Sequence, residues 1–330
     1  MKFVQLAASL KEGLAPIYLV DGEEAYFRDH AVESIKKACA LTQPALNETR
    51  VEGETLKGDK LTSFVSSLNT LPFFDEKRFV RVYDFYPTEK EWETVLAPYA
   101  KDPCPTTVLV IVNGGFGGKK QNLAALRRKG GVVHVDCSRE SEEMLARWLF
   151  GVLKKRGLLA DGDALTQMVR YCNFDAARMH REAEKLVLLL GEGGRLTREV
   201  VEEYVAKDVE YKIYELTQAA SRKNFSLFSQ ILHELMEKGY DEYAALSSLA
   251  AHYRTLYEIT SLEGTDREVA ATLSMQPYAV QKSREAAARL GTKRVKELYE
   301  ALYTLSSGAK SGDYTKQGAL FSAIAKIFFG

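Results

Sequence analysis

Net charge is what this chain lacks first. Lys and Arg total 45, and so do Asp and Glu. A globally basic nucleic-acid coat is excluded, and any contact with phosphates has to come from local patches. Cysteine is scarce and scattered. Cys39, Cys104, Cys137 and Cys172 contain no C-x-x-C pair, which argues against a disulfide framework or structural zinc and fits a reducing cytoplasm. No apolar run approaches the roughly 18–20 residues of a membrane span. The opening stretch, Met1 to Glu12, meets charge too soon for a signal peptide. His30, His134, His180, His233 and His252 share no metal-ligand spacing, and no local Ser-His-Asp or Cys-His signature is present. No metal, cofactor or catalytic residue is expected on these grounds. Internal repeats and low-complexity segments are also missing.

What is present is an ordinary globular composition, 46% hydrophobic and 27% charged, in 330 residues, enough for two or three domains. The first part alternates strand and helix. Strands are expected at Ile17–Val20, Thr49–Glu52, Phe79–Asp84, Thr106–Val112 and Val132–Asp136. Helices are expected over about 22–40, 61–68 and 119–129. The β-branched run at 106–112 suits a strand buried on both faces, and the alternation implies a mostly parallel sheet covered by helices. After residue 138 the strands stop. Leu145, Trp148, Leu149 and Val152 mark an amphipathic helix, and short helices follow near 163–171, 175–190 and 197–205. From about Val209 onward longer helices read as a separate all-helical region. The expected domains are therefore 1–138, 139–208 and 209–330.

A sheet followed by small helices invites a search for phosphate-binding loops, which need glycines, a Lys and a Ser or Thr. The turn after the first strand, Asp21-Gly-Glu-Glu24, has one glycine, no Lys and no hydroxyl. Gly22 and Glu23 read as a degenerate turn whose acids would repel a polyphosphate and suit a helix N-terminus instead. Asn113-Gly-Gly-Phe-Gly-Gly-Lys-Lys120 has Asn where the loop pattern needs Gly and Lys where it needs Ser or Thr. An active ATPase using this 113–120 loop is the rival reading. A strand ending in two acids for magnesium is also missing, Asp84 being followed by Phe85. Lys119, Lys120, Arg127, Arg128 and Lys129 do form a local basic face open to phosphates.

Leu71-Pro-Phe-Phe-Asp-Glu-Lys-Arg78 carries two adjacent aromatics at a break. Leu61, Phe64, Val65 and Leu68 form one apolar helix face before it. Asn69 and Thr70 suit a helix interior poorly and Pro72 lacks the N–H a helix needs. Two readings stand: Leu71, Phe73 and Phe74 fold inward as core, or they form a hydrophobic plug for a partner's pocket. Burying two Phe side chains is worth roughly 3–6 kcal/mol, enough to anchor an interface.

The order of these features resembles the delta subunit of the bacterial DNA polymerase III clamp loader. They are Ile17–Val20 with Asp21–Glu24, Leu71–Phe74 before a strand, the strand Val108–Val112, a small helical segment, and a helical last third containing Ala309-Lys-Ser-Gly-Asp-Tyr314. The resemblance covers essentially the whole chain. It implies an AAA+-like α/β domain that has lost ATP binding, a helical lid and an all-helical collar. It further implies a replication subunit with no activity or cofactor of its own, within a complex whose other subunits hydrolyse ATP. The implied partners are the beta sliding clamp, the ATPase (tau/gamma) and delta-prime subunits through the collar, and primed DNA, with no membrane. Clamp binding falls, by that resemblance, on Leu71, Pro72, Phe73 and Phe74. In the last third, Lys310-Ser-Gly-Asp-Tyr-Thr-Lys316 sets an aromatic between two lysines. Either Tyr314 stacks on a base at a primer–template end with Lys310 and Lys316 on phosphates, or it packs locally.

Overall fold

A computed structural model describes residues 1–114, 131–273, 275 and 277–330. Contacts divide these into two compact units: Met1–Val169 with Phe174–Tyr204, and Arg170–Asn173 with Val205–Gly330.

The first unit opens on a helix that the sequence reading did not include, α1 (Phe3–Glu12), followed by β1 (Ile17–Asp21), α2 (Ala25–Ala38), the short α3 (Pro44–Asn47), β2 (Glu48–Glu52), α4 (Asp59–Ser67), β3 (Arg78–Tyr83), β4 (Thr107–Asn113) and β5 (Val133–Asp136). The five strands form one sheet in the order β2-β3-β4-β1-β5, every pairing parallel. That order explains the composition of each strand. β4 and β1 are interior and all their residues are buried, so both faces must be apolar. β2 is an edge, and its Glu-Thr-Arg-Val-Glu leaves charged residues in water. The expected apolar face of α4 is present: Leu61, Phe64, Val65 and Leu68 are buried with Val80, Val82, Leu109 and Ile111. The expected helix over 119–129 lies outside the described residues.

Strands do not stop at residue 138. A two-residue parallel pair, β6 (Leu159–Ala160) with β7 (Arg195–Leu196), ties the small helical segment together. Two residues are too few for any periodicity to show. Around the pair lie the helices Glu142–Lys155, Ala176–Leu190 and Arg198–Tyr204. The first is capped by the Ser141 hydroxyl and buries Leu145, Leu149 and Leu153.

The second unit is all helix: Val209–Ser221, Phe225–Glu237, Glu242–Ser261, Asp266–Leu273, Pro277–Leu290, Thr292–Ser311 and Lys316–Phe328. Its main core gathers Leu216, Phe228, Leu249, Tyr253, Leu302 and Ile327. No helix among the described residues is long and apolar enough to cross a membrane.

Candidate functional site

α4 ends because its last carbonyls are taken by the sheet. The Arg78 guanidinium donates to the Ser67 carbonyl at 2.7 Å and the Thr107 hydroxyl donates to the Leu68 carbonyl at 2.8 Å. The chain then leaves the surface and re-enters at Arg78, the first residue of β3. Between these anchors the side chains of Leu71, Phe73 and Phe74 are 72%, 56% and 83% exposed. The core reading therefore fails for all three, while Pro72 is half-buried beside them. The Phe73 and Phe74 rings meet edge to face, with centroids 4.3 Å apart.

This projection is braced by polar residues that the sequence reading did not single out. Asn47, buried at the end of α3, brackets Phe73: its side-chain carbonyl accepts from the Phe73 N–H at 2.7 Å, and its amide donates to the Phe73 carbonyl at 2.7 Å. The same amide donates to Asp75 at 2.7 Å. Asp75 in turn accepts from the Thr42 hydroxyl, the Thr42 N–H at 2.8 Å and the Gln43 N–H at 3.0 Å. These donors, the Thr42 hydroxyl foremost, hold the Asp75 carboxyl down at about 2. Phe74 has φ +61°, a left-handed conformation that costs a bulky residue about 1–2 kcal/mol. A strained, exposed aromatic fixed by neighbouring hydrogen bonds is an arrangement found where function rather than packing sets the conformation. Twenty-six residues separate Asn47 from Phe73, and no local pattern could have linked them.

The degenerate turn is filled by its own chain. Gly22 has φ +136°, and a Cβ there would lie 2.1 Å from the Cys137 carbonyl carbon. The glycine thus admits the main chain of Cys137 and Ser138. The Glu24 N–H donates to the Cys137 carbonyl at 3.0 Å, and the Arg28 guanidinium bonds the Gly22 carbonyl. Burial raises the Glu24 carboxyl above its ordinary range. A phosphate seat needs inward-pointing free N–H groups, and the Glu24 N–H is already committed. Asn113, where a phosphate loop would need Gly, is fully buried and brackets Phe85, accepting its N–H and donating to its carbonyl, both at 2.9 Å. Asp84 sits at a turn with φ +51° directly after β3.

The basic stretch Lys119, Lys120, Arg127, Arg128 and Lys129 lies outside the described residues. Lys310 is exposed, Lys316 pairs with Asp241 at 3.3 Å, and Tyr314 is 48% exposed. The Tyr314 ring rests against Gly308, where a Cβ would come within 2.4 Å of it. Packing and partial exposure thus coexist at this residue. Among the described residues no cluster of His, Cys, Asp and Glu could hold a metal ion, and the four cysteines are unpaired.

The comparisons with known proteins agree with one another. The family model for the DNA polymerase III delta subunit, C-terminal domain, matches residues 210–327. The DNA polymerase III subunit delta of Bacillus subtilis is 21% identical over 94% of this chain and 92% of that one. A probable DNA polymerase III subunit delta of Rickettsia prowazekii is 23% identical over 69% of each chain. Among solved structures, the DNA clamp loader delta protein of Bacillus subtilis superposes with a TM-score of 0.70, 20% identity and 99% of both chains covered. The α/β-then-all-α fold expected from the sequence is the fold of that protein.

Proposed function

We propose that this chain, which through residues 210–327 belongs to the DNA polymerase III delta-subunit family, is a clamp-loader subunit that binds the beta sliding clamp through Leu71, Pro72, Phe73 and Phe74. The observation that carries the proposal is the exposed Phe73–Phe74 pair, held out from the sheet by Asn47 and Asp75. Burying both rings in a partner's pocket is worth roughly 3–6 kcal/mol. An anchor already fixed in its bound shape loses little entropy on docking.

The work on the clamp needs no covalent chemistry. If the tip binds the opened ring more tightly than the closed ring, the population shifts toward the open form by that difference. The subunit itself is non-catalytic in this reading: the Gly22–Glu23 turn is closed by Cys137, and ATP is hydrolysed by tau/gamma subunits. Residues 1–138, 139–208 and 209–330 act as the clamp-facing sheet domain, the lid and the collar. The collar joins the ATPase and delta-prime subunits. Primed DNA meets Lys119, Lys120, Arg127 and Arg128 on the first domain and Lys310, Tyr314 and Lys316 on the last.

The test is ring opening. A clamp labelled with a self-quenching fluorophore pair across one ring interface should brighten when the full chain is added. It should stay quenched with the Phe73→Ala/Phe74→Ala variant. Equal brightening by both proteins would remove the tip from the mechanism.

A further inference from the structure

The second unit carries a concentration of positive charge that the reading above does not use. Arg222 and Lys223 end the helix Val209–Ser221, Arg289 lies in the last turn of the helix Pro277–Leu290, and Arg294 in the first turn of the helix Thr292–Ser311. Taken singly, a cation at a helix C-terminus needs no further explanation, since it offsets the macrodipole. What the macrodipole does not explain is their convergence. All four line one open cavity of about 620 Å³, together with Ser221, Leu290 and Gly330.

No Asp or Glu lines that cavity. Arg222, Lys223 and Arg289 are exposed, and their side chains make no hydrogen bond or ion pair among the described residues. Arg294 is the one already engaged, donating to the Lys326 carbonyl at 2.6 Å and lying 3.6 Å from Glu297. In a chain whose charges otherwise balance, three uncompensated cations facing one hollow repel one another. Such a hollow attracts an anion.

We infer that this cavity binds phosphate groups of a nucleic-acid backbone, through Arg222, Lys223 and Arg289 with Arg294 behind them. Guanidinium forks match phosphate oxygens bidentately, and the Lys ammonium adds a point charge. An acidic peptide is the other anionic occupant, but peptide docking takes its energy from apolar anchors in pockets. Leu290 is the only large apolar side chain on the lining. The cavity is also separate from Lys310, Tyr314 and Lys316, none of which lines it.

The experiment titrates a labelled single-stranded oligonucleotide with the full chain over a salt series, read by fluorescence anisotropy. Wild type is compared with Arg222→Gln/Lys223→Gln/Arg289→Gln and with each single substitution. Three lost phosphate contacts at about 0.7 each should flatten the slope of log K against log salt by about two, with affinity at low salt falling roughly tenfold or more. Each single variant should flatten it by about 0.7, so misfolding of the triple variant, seen by circular dichroism, leaves the test intact. Unchanged slopes and affinities in the folded variants would overturn the inference, as would failure of the wild-type chain to bind the oligonucleotide. Displacement of the oligonucleotide by polyglutamate as effectively as by unlabelled DNA would overturn the phosphate assignment in favour of an acidic peptide. Because the clamp is absent from this assay, a failure of the tip to bind the clamp leaves this prediction standing. Equally, the triple variant should bind the clamp as wild type does.

Discussion

Replacing Asn47 with Ala removes the brace and leaves every tip side chain in place. Two of its bonds hold the Phe73 main chain, both at 2.7 Å. At about 1 kcal/mol net for each bond, the loss is about 2 kcal/mol. Part of the freed polar surface reaches water, so the stability cost is bounded by that figure. The cost to binding follows from the same bonds. If they keep the tip in its binding shape, releasing them dilutes that shape, and clamp affinity falls by up to about 30-fold. Isothermal titration of the clamp, with urea unfolding of the same preparations, measures both quantities. Asn47→Ala should be folded, less stable by no more than about 2 kcal/mol, and weaker in binding with Phe73 and Phe74 untouched. Clamp affinity equal to wild type would refute the claim that the brace pre-forms the tip.

The other expectations separate strain, charge and packing. Phe74→Gly relieves the left-handed backbone, so stability should stay level or rise by up to about 1 kcal/mol while clamp binding is lost; a loss of stability above about 2 kcal/mol would instead put the ring in the core. The Asp75 carboxyl, held at about 2, contributes stability that is fully present above its ordinary range near 3.8 and is lost as pH falls from there toward 2. Carbon-13 titration of Asp75 should give the low value, and a midpoint near 3.8 would contradict the bonds to Thr42, Gln43 and Asn47. Gly22→Ala drives a methyl into the Cys137 main chain at a positive φ; a loss of about 3 kcal/mol is expected in thermal or urea unfolding, and a neutral effect would show that the turn is not packed this way.

The sheet was readable because burial leaves a mark on composition. β4 is apolar throughout since its neighbours cover both edges and helices cover its faces, and α4 shows its face through the 3.6 period of Leu61, Phe64, Val65 and Leu68. The tip was readable only as a pair of alternatives, because two phenylalanines at a break look the same whether they turn in or out. Exposure decides between them. Asn47, Thr42 and Asp75 left no trace in the sequence: their bonds join residues about thirty positions apart, and polar residues at such a distance carry no periodicity. Asn113 was noticed as the wrong residue for a phosphate loop, while its actual work, holding Phe85, needed coordinates. α1 was passed over because its stretch was read only for targeting, and β6 with β7 is too short to be heard.

The most direct measurement is a titration of the purified beta sliding clamp with wild type beside Phe73→Ala/Phe74→Ala, with circular dichroism on both proteins. The account predicts that wild type binds, and that the double variant keeps the wild-type spectrum and loses binding by at least about 100-fold, roughly the energy of the buried rings. A folded double variant that binds the clamp as tightly as wild type would contradict it.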